Sequence, residues 1–186
     1  MRVENEPMVL TGKESFTNGG DPVGLTVTDF WSFQYSNIDH DPEYVAEFLV
    51  AKALGKSVRD NAQSWTLYDI DYEGLRVEVK ETSWWHSFNV PGKLSSRRSF
   101  GIAAPKSVGE RQCDVYIFCL LTGTDRESAC PLELEHWKFY VVPRSVIDER
   151  FGGQKSVSLS KVQEIAKEVD WEHIREQVDA LRPLAG

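Results

Sequence analysis

The sequence predicts an α/β domain, bordering on α+β, in which a central mixed β-sheet is flanked by helices. Three observations carry this. An apolar-rich helix starts near Asp41, an alternating strand hairpin follows it, and a seven-residue apolar run, Val115 to Leu121, precedes two closing helices. The chain has 186 residues, 41% of them hydrophobic, so it is long enough for one domain with a real core. Six Trp, six Tyr and nine Phe exclude a disordered chain. No apolar run approaches the roughly 20 residues that cross a bilayer, and no basic-then-apolar leader opens the chain. A cytoplasmic protein with no membrane partner is the expectation.

Residues 1–27 show little periodicity around Asn18-Gly-Gly-Asp-Pro and read as a poorly structured arm, leaving 28–186 as the single domain. Asp41 can cap the helix, Pro42 suits its first turn and Gly55 its stop. Tyr44, Val45, Phe48, Leu49, Val50, Ala51 and Leu54 surround the helical wheel, which predicts a buried helix with Glu47 trapped among apolar neighbours. A carboxylate so placed needs a hydrogen bond, a counter-charge or a metal. Residues 65–80 then read as two strands joined by a Glu73-Gly74 turn. That turn sets Asp69 opposite Glu78 and Asp71 opposite Arg76. Alternation puts Asp69, Asp71, Arg76, Glu78 and Lys80 on one face and Tyr68, Ile70, Val77 and Val79 on the core face. Further on, Trp137 to Pro143 is another strand. Ser160 with Gln163 forms a capping box for the first closing helix. Asp170 caps the second, whose stripe is Trp171, Ile174, Val178 and Leu181.

Cys113, Cys119 and Cys130 form no close pair, and His40, His86, His136 and His173 are scattered, which argues against structural zinc and for a reducing compartment. The net charge of −8 opposes coating of nucleic acid by bulk charge. The balance is uneven, however: Lys93, Arg97, Arg98, Lys106 and Arg111 face only Glu110 between residues 93 and 111. There is no Gly-x-Ser-x-Gly elbow and no glycine-rich phosphate loop, so serine hydrolases and nucleotide-driven motors find no support.

Two carboxylates facing across a hairpin, with a lysine one pleat further, suit a Mg²⁺- or Mn²⁺-dependent phosphodiesterase. The hard oxygens suit the ion, and the ammonium can hold water or stabilise phosphate charge. Glu-x-Lys alone would arise about once by chance in this composition. Its position on an alternating strand opposite Asp69, after a helix bearing Glu47, is what adds weight. Solvated charge pairs on a sheet face are the plain alternative.

In this arrangement the chain resembles the PD-(D/E)xK restriction-endonuclease-like superfamily, and more narrowly an uncharacterised bacterial branch of it. The matching segments are Asp29-Phe-Trp, Ala46-Glu-Phe-Leu-Val-Ala, Ala53-Leu-Gly, Tyr68-Asp-Ile, Gly74, Val77-Glu-Val-Lys, Ser99-Phe-Gly-Ile, Asp114-Val-Tyr-Ile-Phe, His136-Trp-Lys-Phe-Tyr-Val-Val-Pro and Lys155-Ser-Val-Ser-Leu-Ser. The resemblance implies a restriction-endonuclease-like core, Asp69 and Glu78 as metal ligands, Lys80 as the catalytic lysine and Glu47 as an accessory carboxylate. It departs from the family pattern at His86, Phe88 and around Pro42 and Glu43. DNA is the partner implied first, with RNA second, and a homodimer is compatible with the sequence. Lys93, Arg97, Arg98 and His86 are the candidate nucleic-acid contacts, and Trp84 and Trp85 could stack on bases. The alternative is a non-catalytic nucleic-acid- or protein-binding module of the same fold. A third reading is an interaction protein whose acidic face is unrelated to metal.

Overall fold

Glu73 and Gly74 both have positive φ, 49° and 87°, as a two-residue turn requires when its twist must match the flanking strands. They close the hairpin between β3 (Ile70–Tyr72) and β4 (Leu75–Ser83), with Ile70 opposite Val77 and Asp71 opposite Arg76. The structure, a computed structural model, describes residues 10–35, 42–56, 67–85, 98–104, 106, 109–125 and 127–182. Before the hairpin come β1 (Ser15–Asn18), β2 (Asp21–Thr26), α1 (Val27–Gln34) and α2 (Pro42–Ala53). After it come β5 (Ser99–Gly101), β6 (Val115–Leu121), β7 (Trp137–Pro143), α3 (Arg144–Phe151), β8 (Ser156–Ser158), α4 (Leu159–Ile165), β9 (Glu168–Val169) and α5 (Ile174–Asp179). Short 3₁₀ turns precede β7 and α5.

The central sheet has five strands in the order β3-β4-β6-β7-β9, mixed because β4 and β6 are parallel and the other pairs antiparallel. Every residue of β6 is buried, since both faces of this middle strand are covered. On one face Val77, Val79, Ile117, Cys119 and Phe139 pack with Ala46, Leu49 and Val50 of α2 and Ile174 and Val178 of α5. On the other, Tyr116, Phe118, Tyr140 and Val142 pack with Phe100, Ile147, Val157 and Val162. Full burial of each such side chain contributes about 1.5–3 kcal/mol, which dominates the stability of the sheet. All three cysteines are free thiols, and Cys113 and Cys119 are buried as small apolar groups. Among the described residues no helix is long and apolar enough to cross a membrane.

Several expectations are corrected. The helix α2 is one-sided: Tyr44 and Phe48 are 59% and 54% exposed, because only the stripe through Ala46, Leu49 and Val50 meets the sheet. Within the stretch read as a poorly structured arm, β1 and β2 pair antiparallel. Gly19 and Gly20, with φ of 61° and 96°, supply the turn there, and Thr26 with Asp29 forms a capping box that starts α1. The helix α4 begins at Leu159 without a side-chain cap, and Gln163 instead donates to the Tyr140 hydroxyl at 3.1 Å. Asp170 makes no cap either; its carboxylate accepts from Lys138 at 3.1 Å. Asp41 lies outside the described residues.

Candidate functional site

Asp69 directly precedes β3, and its amide donates to the Val77 carbonyl at 3.1 Å. The answering amide, Val79 N–H, does not reach a carbonyl. It donates to Asp69 Oδ2 at 2.6 Å, so a side chain takes the place of main chain and ties the Asp69 carboxylate to β4. On β4, Glu78 and Lys80 share a face by alternation, and Lys80 Nζ sits 2.7 Å from Glu78 Oε1. Their parallel neighbours on β6 are Tyr116 and Phe118, whose rings stack at 5.5 Å. The ion pair is therefore flanked by aromatic surface, and its two side chains are only 21% and 23% exposed.

Burial and crowding of like charge show in Glu47, Asp69 and Glu78. Burial pushes the Glu47 carboxyl up to about 7, and Asp69, Glu43 and Glu78 add to the push against the opposing pull of Lys80. Asp69 is raised chiefly by burial, offset by the Val79 amide and Lys80. Glu78 is raised by burial and then by Asp69, with Lys80 opposing. For Lys80, burial favours the neutral amine, but Glu78, Asp69 and Glu43 outweigh it and hold the ammonium above its ordinary range. One ammonium thus serves several carboxylates in a poorly solvated place, and the cluster is short of positive charge.

The structure brings Glu47, Asp69, Glu78 and Lys80 within range of one another's charge. Asp71 and Arg76 face each other in the register as expected, and Arg76 shares the face of Glu78 and Lys80, but both find partners of their own. Asp71 is exposed and accepts from the Gly74 amide within its own turn at 3.2 Å. Arg76 is clamped by Asp114 through Nε at 2.9 Å and Nη2 at 2.6 Å. His86, Lys93 and Arg97 lie outside the described residues. Arg98 braces the domain: its guanidinium lies 5.3 Å from the Trp84 ring centroid and donates to the Trp84 carbonyl. Trp84 and Trp85 part company, one packing on each face of the sheet.

Two carboxylates escaped the sequence reading. Glu43 stands one turn before Glu47 on α2 and raises Glu47, Asp69, Glu78 and Glu81. The i, i+4 spacing of Glu43 and Glu47 was its available signal. Glu81 occupies the apolar side of the β4 alternation, after Val77 and Val79. Burial and Glu43 push its carboxyl up to about 8, and its Oε1 is buried without a hydrogen-bond partner among the described residues.

The carboxylate oxygens of Asp69 and Glu78, in a site where one ammonium faces several carboxylates, are of the donor type that a hard divalent cation takes. Among the described residues, no three His, Cys, Asp or Glu side chains converge tightly enough to hold an ion by themselves. Mg²⁺ tolerates such a set, because it commonly binds one or two carboxylates and completes its shell with water and substrate oxygens. Comparison of the chain with protein-family models, curated proteins and solved structures returned no match.

Proposed function

We propose that the protein is a divalent-metal-dependent phosphodiester hydrolase of the PD-(D/E)xK restriction-endonuclease-like type, acting on nucleic acid and on DNA first. The observation that carries this reading is the buried Glu78–Lys80 pair, with the Asp69 carboxylate held on the same strand by the Val79 amide and raising Glu78. Asp69 and Glu78 would hold Mg²⁺ or Mn²⁺, which when bound polarises a phosphate oxygen and neutralises its charge. Lys80, kept protonated by its neighbours, orients the phosphate and stabilises the charge that grows on it as water adds to phosphorus. Glu47, poised near neutrality, accepts the proton that the attacking water releases. The bond from phosphorus to the leaving oxygen then breaks, and that oxygen takes a proton from solvent.

The test is cleavage of linear and supercoiled DNA and of a structured RNA with Mg²⁺ and Mn²⁺, using wild type and Lys80→Ala. Metal-dependent cleavage that the variant loses while still binding the ion supports the reading. Cleavage unchanged in Lys80→Ala would refute it. The second reading, a binding module of the same fold, is favoured by the closeness of Lys80 to Glu78, which already neutralises one metal ligand. It predicts nucleic-acid binding without cleavage under any metal.

A further inference from the structure

A cleft of about 580 Å³ opens on the domain away from the carboxylate cluster, within the size range of ligand sites. Its walls are Ala103 and Ala104, Gly109 to Arg111, and Arg144 with Asp148 and residues 152–155. Small residues and glycines leave main chain accessible, and among the described residues no aromatic side chain lines the cleft to stack on a base. Arg111 is a structural buckle, only 9% exposed. It donates to Asp148 at 2.7 Å and to the carbonyls of Ile102, Gly152 and Gln154. Asp148 is thereby neutralised. Arg144 gives Nη1 to the Arg111 carbonyl at 3.1 Å and sets Nε 3.7 Å from Asp148 Oδ2 in a loose ion pair, while Lys155 is exposed and pairs with no carboxylate among the described residues. The cleft thus carries the cations Arg111, Arg144 and Lys155 against Asp148 and Glu110.

We propose that this cleft holds a backbone phosphate of a nucleic-acid strand, gripped by Arg144 and Lys155. The lining favours phosphate and sugar over base, since it offers charge and main chain without a stacking surface. Its place agrees: Tyr116 on β6 is the neighbour of Glu78, and the Arg144 amide donates to the carbonyl of Asp114, two residues before Tyr116. On the hydrolase reading, a strand held at Lys80 would run on to this cleft; the phosphate site itself does not rest on that reading.

Binding of a short fluorescein-labelled single-stranded oligonucleotide, followed against salt, tests the proposal with wild type, Lys155→Gln and Arg144→Gln/Lys155→Gln. Each charge removed should weaken binding roughly fivefold at low salt and reduce the slope of log K against log salt by about 0.7. Lys155→Gln leaves the Arg111 buckle intact, so its result stands even if the double variant folds poorly. Weakened binding in Lys155→Gln supports the cleft even where the wild type cleaves nothing, an outcome that would count against the hydrolase reading alone. Metal-dependent cleavage by a wild type whose affinity and salt slope match those of Lys155→Gln overturns the cleft and leaves the hydrolase standing. Inorganic pyrophosphate that raises Tm without competing with the oligonucleotide, or no oligonucleotide binding at all, also overturns it.

Discussion

Arg76 and Glu78 are two residues apart on the same face of β4, yet their charges have opposite surroundings. Arg76 meets Asp114 in a bidentate pair, and the hydrogen bonds from Arg76 hold the Asp114 carboxyl below its ordinary range. Glu78 has a lysine at 2.7 Å, but burial and Asp69 still push its carboxyl up. The first pair is closed: each charge has its partner, and nothing further is wanted there. The second belongs to a group in which Lys80 is outnumbered by Glu43, Glu47, Asp69 and Glu78. Structural ion pairs satisfy themselves, whereas a site for chemistry is left with a charge deficit that a cation and a phosphate can complete.

The largest expected effect breaks the unbalanced region. Lys80→Ala should reduce hydrolysis by roughly 10²–10³-fold, the scale of losing one positioned charge stabiliser, while Mg²⁺ still raises Tm. Turnover and thermal melts with and without metal check both halves. Next, Asp69→Asn should remove most of the Mg²⁺-induced rise in Tm. An equal rise in wild type and variant would place the ion elsewhere on the acidic surface.

A third prediction concerns pH. Glu47 and Glu81 have folded-state pKa values near 7 and 8, above the 4.5 of the free side chain. The folded chain therefore binds more protons than the unfolded one between about pH 4.5 and 8. Their contribution to stability is present below that window and is lost as pH rises through it. Glu81→Gln should raise Tm by on the order of 5 °C near pH 9 and change it little near pH 5. Melting curves across that range decide it. Glu47→Gln should flatten the limb of the rate profile that rises through about pH 7, in addition to lowering turnover.

The closed pair should behave differently. Arg76→Ala should cost about 1–2 kcal/mol of stability, because it strands Asp114, and leave turnover per folded molecule unchanged. Denaturant melts beside activity assays make that comparison. Smallest of all, Glu110→Gln should tighten oligonucleotide binding about twofold by removing the rim carboxylate that opposes Arg144 and Lys155.

Much of the central sheet was legible before any coordinates. The β3–β4 register followed from strict alternation around Glu73-Gly74, and β6 from its unbroken apolar run, both local patterns with short-range causes. The same alternation located Glu78 and Lys80 on one face. Where local pattern has no bearing, reading failed. Tyr44 and Phe48 look as apolar as Leu49, but α2 meets only one sheet face. Gln163 looks like a capping residue, but the Tyr140 hydroxyl, 23 positions away, engages it.

The sequence by itself determined the strand hairpin, the buried middle strand and the shared face of Glu78 and Lys80, because periodicity and turn chemistry act over a few residues. Only the tertiary structure decided which charges are satisfied. Arg76 finds Asp114 38 residues away, Arg111 finds Asp148 37 residues away, and Glu43 and Glu47 come from another element to crowd Lys80. Charge interactions depend on distance and burial in three dimensions, and these pairings form only when α2, β4, β6 and α3 have packed together.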